Sequence, residues 1–435
     1  MAKARRFNSL TFYVFAALAY LGVAIFLYFL SLNIIGSPDE KTNEPPTLGL
    51  RLVSFDALDG WNEDDLRPAA AAFSASCEKL EGRRDNDRLN PLESHPGVAS
   101  FSLTGTVADW RRACSDIPTF IQTPRIRAYF EANFTPIQIL NRYVAEKGTD
   151  RFEPAGKFTG YFEPEYKAAR EKTPEQSVPV LSRPNDLIDL DLGAFRPELS
   201  GTRIAGRLEG RRLVPYPDHG DIIDGALTGR AEPLAWVNPN DLLFLQIQGS
   251  GRLRLKDGTT LRVGYAGQNG HPYTAVGKVL ADEGIMPVSE ISMQSIQTWL
   301  RDAGIVQAKA LREANKSYVF FTVLDELDDD EGPLGAQGIP LVAGRSLAVD
   351  RRYHAMGAPV WISTEAFPAP GPGPIKRLMV AQDTGGAIRG PVRGDFYWGT
   401  GEIAGDLAGR MNVSGELFIL VPKTVAARIP EQYLQ

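Results

Sequence analysis

A mainly β fold is predicted for this chain of 435 residues, and three observations predict it. Glycine (42) and proline (31) are abundant, as expected of many short strands joined by tight turns. From Ser177 to about Gly270, short apolar runs alternate with Gly, Pro, Asn and Asp at roughly ten-residue spacing, the texture of a small antiparallel sheet or barrel. Helical periodicity is confined to a few short stretches. Hydrophobic residues make up 43% of the chain, enough for two or more domains. The formal net charge of -6 lacks the basic footprint that nucleic-acid binding requires.

The N-terminus comes first. Lys3, Arg5 and Arg6 precede the uncharged run Leu10 to Ile35. A helix rises about 1.5 Å per residue, so roughly 20 apolar residues cross a bilayer core. Secretory signals carry apolar stretches of only about 7–15 residues, so residues 1–36 are expected to be a retained transmembrane helix. Its basic end marks the cytoplasmic side, and the rest of the chain is exported. A long cleavable signal is the alternative, and it too exports the globular part. Residues 37–50 form a polar, Pro-containing linker.

Asp64 to Leu80 predicts a helix with acidic residues and a proline at its start, and Ile126 to Phe134 a second. Cys77 and Cys114 form an even pair in an exported chain. A disulfide and two buried thiols both stay open, because spacing alone does not show that the sulfurs meet. Leu242 to Gln248 and Leu253 to Leu255 read as strands, the second closed by the turn Lys256-Asp257-Gly258. His271 to Glu283, Ile291 to Arg301 and Gln307 to Asn315 predict helices, and Tyr318 to Leu324 a strand. The acidic stretch Asp325 to Glu331 is a solvated turn; it lacks the glycine and terminal Glu of a calcium loop. Gly332 to Pro422 returns to short strands and glycine-rich turns.

Familiar catalytic motifs are absent. His95, His219, His271 and His354 include no i, i+4 pair, and no dense metal-ligand cluster stands out. The string QGSGR around Ser250 lacks the first glycine of a nucleophile elbow. GTGEIAG at 399–405 has its third glycine misplaced for a dinucleotide loop. No cofactor or metal is called for. What remains is carboxylates beside aromatics and glycines. Gly160-Tyr161-Phe162-Glu163-Pro164-Glu165-Tyr166 sets two carboxylates among three rings, and Trp236, Tyr265, Tyr273, Tyr397 and Trp398 adjoin polar or glycine positions. Ring faces with amides and carboxylates at their edges suit an uncharged, hydroxyl-rich glycan; packing a small β core explains any single ring equally well.

The stretch Met379 to Gly401 carries Asp383, Asp395 and six glycines, but no His, Cys, Glu, Ser or Lys. Two carboxylates suffice for a hydrolytic glycosidase. One suffices if the sugar's own C6 hydroxyl is the nucleophile, because no water need then be activated. Structural roles are the alternative: Asp383 capping a turn beside Gly385-Gly386, and Asp395 making a buried hydrogen bond.

The stretches GKFTGYFEPEY (156–166), LLFLQIQGSGRLRLKDG (242–258), VGYAGQNGHPYTAVGK (263–278), SYVFF (317–321), GPLGAQGIPLVAGRSLAVD (332–350) and AQDTGGAIRGPVRGDFYWGTG (381–401) resemble, in this order, those of the membrane-bound lytic murein transglycosylase A family. The resemblance implies a double-psi β-barrel domain built from residues 51–165 and 312–435, the latter similar to the 3D domain. A second small β-barrel-like domain, 166–311, is inserted into it, with a few peripheral helices. It implies peptidoglycan glycan strands as the partner, held in a groove between the domains. The β-1,4 bond between N-acetylmuramic acid and N-acetylglucosamine would be cleaved without water, leaving 1,6-anhydromuramic ends. The three aspartates naming the 3D domain fall at Asp350, Asp383 and Asp395. Asp395 maps to the acid/base, with its pKa expected to be raised by burial. Asp383 and Asp350 would orient it and shape the glycine loops. Glycan-binding positions are expected at Tyr161, Glu163, Gln248, Ser250, Gly251, Tyr265, Gln268, Asn269, Tyr273, Gly385, Gly386 and Ala387. Other cell-wall enzymes are further candidate partners.

Well-known members of that family are lipoproteins, whereas this chain has no cysteine before Cys77. Its expected location is therefore the inner membrane, the catalytic part facing the periplasm; a soluble or outer-membrane-associated form is the alternative. A silent glycan-binding module and a two-aspartate muramidase are the competing functions.

Overall fold

The computed structural model describes residues 45–93, 101–145, 149–196, 199 and 202–435. The expected anchor, residues 1–36, lies outside them. Among the described residues no helix is long and apolar enough to cross a membrane. Pro46–Gln435 forms one compact unit.

In chain order the elements are β1 (Thr47–Leu52), α1 (Arg67–Glu78), α2 (Val107–Phe120), α3 (Ile126–Asn133), β2 (Phe134–Tyr143), β3 (Arg151–Glu153), β4 (Ala155–Glu163), β5 (Glu165–Ala169), β6 (Val178–Leu181), β7 (Ile188–Asp191), β8 (Arg203–Glu209) and β9 (Arg212–Pro215). There follow α4 (His219–Ile223), β10 (Pro233–Val237), α5 (Pro239–Gln248), β11 (Ser250–Leu255), β12 (Thr260–Gln268), α6 (Val276–Asp282), α7 (Met293–Asp302), α8 (Gly304–Ala314) and β13 (Val319–Val323). The chain ends with β14 (Ser346–Val349), β15 (Pro359–Ala366), β16 (Pro374–Asp383), β17 (Arg393–Thr400), α9 (Gly401–Arg410), β18 (Asn412–Pro422) and α10 (Lys423–Ala426).

The larger sheet runs β1-β2-β18-β15-β16-β14-β17-β4, and β18 also pairs with β4. Six strands therefore close on themselves as a barrel. Two of its pairings, β14 with β16 and β17 with β4, are parallel; the others are antiparallel. Alternation along these strands fills the interior: Phe158, Leu347, Val349, Phe396, Leu417 and Ile419 are all buried. Helices α1 to α3 continue that core through Phe73, Trp110 and Phe130. Cys77 of α1 and Cys114 of α2 form a disulfide, Cα to Cα 5.4 Å, which resolves the choice that spacing left open.

A second sheet, β13-β12-β11-β5-β10-β6, has its own core around Val180, Leu245, Leu253 and Phe320. A bridge between Ser182 and Phe321 brings its two ends together. β7, β8 and β9 form a separate three-stranded sheet.

Two expectations are corrected. Leu242 to Gln248 is helix, not strand. Asn238 accepts the N–H of Asn240 at 2.9 Å, Pro239 occupies the first turn, and Gly249 ends the helix at φ +79. His271 to Ala275 is not helical, and α6 starts only at Val276, because Asn269 and Asn315 bind the N–H groups of His271 and Thr274 instead. Helices α2 and α9 were not anticipated. The turn at Asp325 to Glu331 is present.

Candidate active site

Strand register assembles the site. Ala348 of β14 is the Cα partner of Asp383 on one side and of Asp395 on the other. Asp395 in turn pairs with Thr159, and Tyr397 with Tyr161. Partners across a sheet share a face, so Asp383, Asp395, Thr159, Tyr161 and Tyr397 gather on the side of the barrel away from Phe158 and Phe396. The small Ala348 leaves space between the two carboxylates.

The Asp395 carboxyl is half-buried. Its Oδ1 accepts the Thr159 hydroxyl. Arg393 donates to the same hydroxyl at 2.7 Å, which occupies Thr159 Oγ1 as an acceptor and directs its proton to Asp395. Oδ1 is thereby engaged, and a proton on Asp395 is left to Oδ2. Burial raises the Asp395 pKa; the Arg393 charge, the Thr159 hydrogen bond and Lys157 act in the opposite direction and do not cancel it.

Asp383 is held differently. Its Oδ1 accepts the N–H groups of Ala336 and Thr384, each at 2.9 Å, and its Oδ2 accepts Tyr161 Oη at 2.9 Å. Burial pushes its pKa up to about 6, with a further upward push from Asp395 and partial relief from the three donors. Burial and then the Asp383 charge drive the Tyr161 phenol well above its usual value, keeping it a neutral donor. The rings of Tyr161 and Tyr397 lie 5.3 Å apart.

Asp350, expected among the catalytic groups, is fully buried at 0% exposure. Arg352 grips both its oxygens, at 2.6 to 3.2 Å, and Oδ2 also accepts Gly390 N–H at 2.8 Å. Burial opposes its ionisation, but these donors outweigh it and hold its pKa below the usual value. His354 Nε2 meets the Pro391 carbonyl at 2.7 Å beside it. Both residues pin the loop between β16 and β17. Gly385, Gly386 and Ala387 lie in that loop, the last two exposed.

The expected glycan-binding residues divide. Gln248 Oε1 accepts the N–H of Phe162 at 3.1 Å, tying α5 to β4. Ser250 and Gly251 are buried where β11 begins; a Cβ on Gly251 would meet Leu245 at 2.5 Å. Tyr265 (56% exposed), Gln268 and Tyr273 (41%) face solvent on and after β12. Asn269 is buried, its amide spent on the Pro217 and Lys316 carbonyls at 2.9 Å and on Tyr318 N–H. Glu163, also expected at the ligand, is 0% exposed. Its carboxylate takes Arg252 at 2.9 Å, Arg262 at 3.3 Å and the Thr400 hydroxyl at 2.8 Å, so its hydrogen-bonding capacity serves the junction of the two larger sheets.

Thr159, Arg393, Ala336 and Ala348 were missed. Alternation of Thr159, Tyr161 and Glu163 along one strand was the available signal for Thr159. The main-chain contact of Ala336 had none. Among the described residues no group of His, Cys, Asp and Glu is arranged to hold a metal ion.

Residues 157–322 match the MltA specific insert domain, and 345–421 match the 3D domain. Membrane-bound lytic murein transglycosylase A of Escherichia coli K12 is 33% identical over 270 residues, 61% of this chain and 65% of that one; the match thus spans slightly under two thirds of the relative. The crystal structure of a membrane-bound lytic murein transglycosylase from Agrobacterium tumefaciens superposes with a TM-score of 0.73 at 31% identity, covering 87% of this chain and 99% of that one. The structure of Escherichia coli MltA with bound chitohexaose aligns with a TM-score of 0.58 at 25% identity, over 88% of this chain and 98% of that one. With both domain types matched in order and nearly the whole of a solved relative aligned, this chain belongs to the membrane-bound lytic murein transglycosylase A family.

Proposed function

We propose that this protein is a peptidoglycan lytic transglycosylase in which Asp395 is the acid and then the base. The observation that carries the reading is the hold on Asp395: Oδ1 is occupied by Thr159, burial favours the protonated form, and Oδ2 is left for the substrate. Oδ2–H protonates the bridging oxygen as the bond from C1 of N-acetylmuramic acid breaks. The resulting carboxylate takes the proton of the C6 hydroxyl as O6 bonds to C1. Atoms balance without water, and the product is a 1,6-anhydromuramic end. Asp383, with three donors on its two oxygens, is poorly placed as a water-activating base. It acts as a fixed negative neighbour that Tyr161 shares. We read the glycan as lying between the two larger sheets, over the Gly385–Ala387 loop and toward Tyr265 and Tyr273. The relative crystallised with chitohexaose supports glycan binding. The parallel pairings within the closed six-stranded barrel support a double-psi type. Peptidoglycan contact requires the chain to lie outside the cytoplasm, which the basic-then-apolar N-terminus supports through a single-pass anchor.

Digestion of purified murein sacculi with residues 46–435, beside Asp395→Asn, tests this, with products read by mass spectrometry. Muropeptides lighter by one water than hydrolysis products, with turnover down at least ~100-fold in the variant, are expected. Reducing ends that have gained water would establish a muramidase. Glycan binding without product would establish a silent binding module.

A further inference from the structure

Helix α1 buries Ala69, Ala72 and Phe73 at helical spacing, and the next place on that stripe holds a serine, Ser76. A polar group in an apolar stripe costs stability unless it is hydrogen-bonded, and Ser76 is. Its Oγ accepts the Gln382 side-chain amide at 2.9 Å. Its proton is shared between Gln337 Oε1 at 2.9 Å and the Ala72 carbonyl at 3.0 Å. Gln382 is 0% exposed; its other amide N–H goes to the Ala72 carbonyl at 2.9 Å, and its oxygen accepts the Ser346 hydroxyl of β14 at 2.5 Å. Each glutamine adjoins a residue of the site: Gln382 precedes Asp383, and Gln337 follows Ala336. Their main chains also meet. Gln337 N–H donates to the Gln382 carbonyl at 3.1 Å, and Ala336 N–H donates to Asp383 Oδ1 at 2.9 Å. Two successive N–H groups thus grip two successive residues of β16. The approach is close, since a Cβ on Gly335 would meet the Gln382 carbonyl at 2.6 Å. Cys77, the residue after Ser76, ties α1 to α2 through the disulfide, so the helix that carries the serine is itself fixed.

We propose that Ser76 is a positioning residue for Asp383, acting through Gln382 and Gln337. Packing alone does not call for it, because an alanine would continue the stripe of α1 equally well. The hydroxyl instead joins α1 to β16 and to the segment that carries Ala336. Without it, Gln337 Oε1 and the Gln382 amide each lack a partner beneath the site, the segment loosens from β16, and Asp383 Oδ1 loses the Ala336 N–H. That N–H holds down a carboxyl that burial pushes up. The titratable groups facing Asp383 are Tyr161 of β4, which donates to Oδ2, and Asp395 of β17, whose charge raises it. Neither belongs to the segment that Ser76 supports, so both stay in place when the hydroxyl is removed. For turnover the proposal rests on the catalytic reading above; for the ionisation of Asp383 it does not.

The test compares the parent protein with Ser76→Ala, Ser76→Thr and Gln337→Met. Ser76→Thr keeps the hydroxyl, and Gln337→Met keeps the size of a half-buried side chain while removing its amide. In urea unfolding, the parent is expected to lose stability as pH rises from 3.8 to about 6 through Asp383. In Ser76→Ala and Gln337→Met that loss is expected to run on about one pH unit higher, because one N–H donor to the carboxylate is gone. In an Asp383→Asn background, Ser76→Ala is expected to leave the pH dependence unchanged. In sacculus digestion, Ser76→Ala is expected to lower kcat about tenfold with KM within about twofold, and Ser76→Thr to restore it. A lower kcat with an unmoved pH profile, or a shift of equal size in the Asp383→Asn background, assigns Ser76 to packing alone and overturns the proposal. So does a folded Ser76→Ala that matches the parent in both measurements. If Ser76→Ala fails to fold, Gln337→Met decides by the same criteria. The unfolding profile needs no turnover, so its outcome stands apart from whether the digestion products carry anhydro ends.

Discussion

Asp395 and Asp383 flank the same small residue, Ala348, yet their carboxyl groups are held for different purposes. Asp395 keeps one oxygen unengaged, whereas Asp383 spends both oxygens on three donors. Both pKa values are raised, and burial is the leading cause for each. A carboxyl whose folded pKa exceeds its unfolded value contributes stability below the unfolded pKa and loses it as pH rises through the folded pKa. For Asp383 the window runs from the ordinary 3.8 to about 6. One pKa unit corresponds to about 1.4 kcal/mol, so up to about 3 kcal/mol is lost across it. Asp383→Asn is expected to flatten the pH dependence of urea unfolding between about pH 4 and pH 7, since its Oδ1 still accepts both N–H groups and its amide reaches the Tyr161 oxygen. An unchanged slope would mean that Asp383 stays ionised throughout. The same sign applies to Asp395 in turnover: in the proposed mechanism the acid form starts the reaction, so kcat is expected to fall as pH rises through its raised pKa. A profile with only ordinary carboxylate values would argue against that role.

At the scale of elements, legibility followed the kind of signal. The strand-rich texture and the pair of carboxylates around glycines were plain, because turns and alternation are local. The resemblance then supplied the assignment of Asp395 as acid. Helix α5 was misread because LLFLQIQ is apolar on every side, and periodicity does not distinguish a buried helix from a buried strand. Its cap signals, Asn238-Pro239 and Gly249, were there to be used. Helix α2 was hidden by Pro118 and by the charged run around Arg111, although Val107, Trp110, Ala113 and Ile117 are buried at helical spacing. The role of Glu163 was not legible, because folding brings Arg252 and Arg262 to it from β11 and β12. Asp350 differs: its partner Arg352 stands two residues away, and its hold on Gly390 N–H accords with the loop-shaping role expected of it. Helix α2 matters also through its disulfide to α1, which closes a separation of 37 residues. On a chain-entropy basis such a loop contributes roughly 4 kcal/mol. Replacing Cys77 and Cys114 together by alanine is expected to lower stability by about that much in chemical denaturation. Dithiothreitol is then expected to destabilise the parent protein but not the variant. A variant as stable as the parent would show that the two helices hold each other by packing alone.

Across the whole molecule, one strand ties the parts together. On a single face β4 offers Thr159 to Asp395, Tyr161 to Asp383 and Glu163 to Arg252 and Arg262 of the second sheet. Those arginines also bind main-chain carbonyls of the acidic turn, Arg262 reaching Asp328 at 2.7 Å and Arg252 reaching Asp329 at 2.9 Å. The turn is therefore secured through its backbone, with Glu331 accepting the Asp328 N–H at 2.9 Å, while Asp328, Asp329 and Asp330 are exposed. Glu163 balances two guanidinium groups in a place where its own side chain is 0% exposed and theirs are 11% and 5%. A buried pair of this kind adds little over an apolar packing, but losing one member strands the others. Glu163→Gln keeps the shape and removes the charge, and is expected to destabilise the protein by about 3–5 kcal/mol. The effect should also reach the active site, because β4 positions Thr159 and Tyr161. Turnover of sacculi is expected to fall in Glu163→Gln even at temperatures where the variant remains folded by circular dichroism. Replacing Arg254, which pairs with Glu165 at the surface, provides the comparison: that pair is half-exposed and solvent-screened, and its loss is expected to leave both stability and turnover nearly unchanged. If Glu163→Gln behaves like the surface variant, the two sheets are joined by their apolar contacts and the strand does not carry the register of the aspartates.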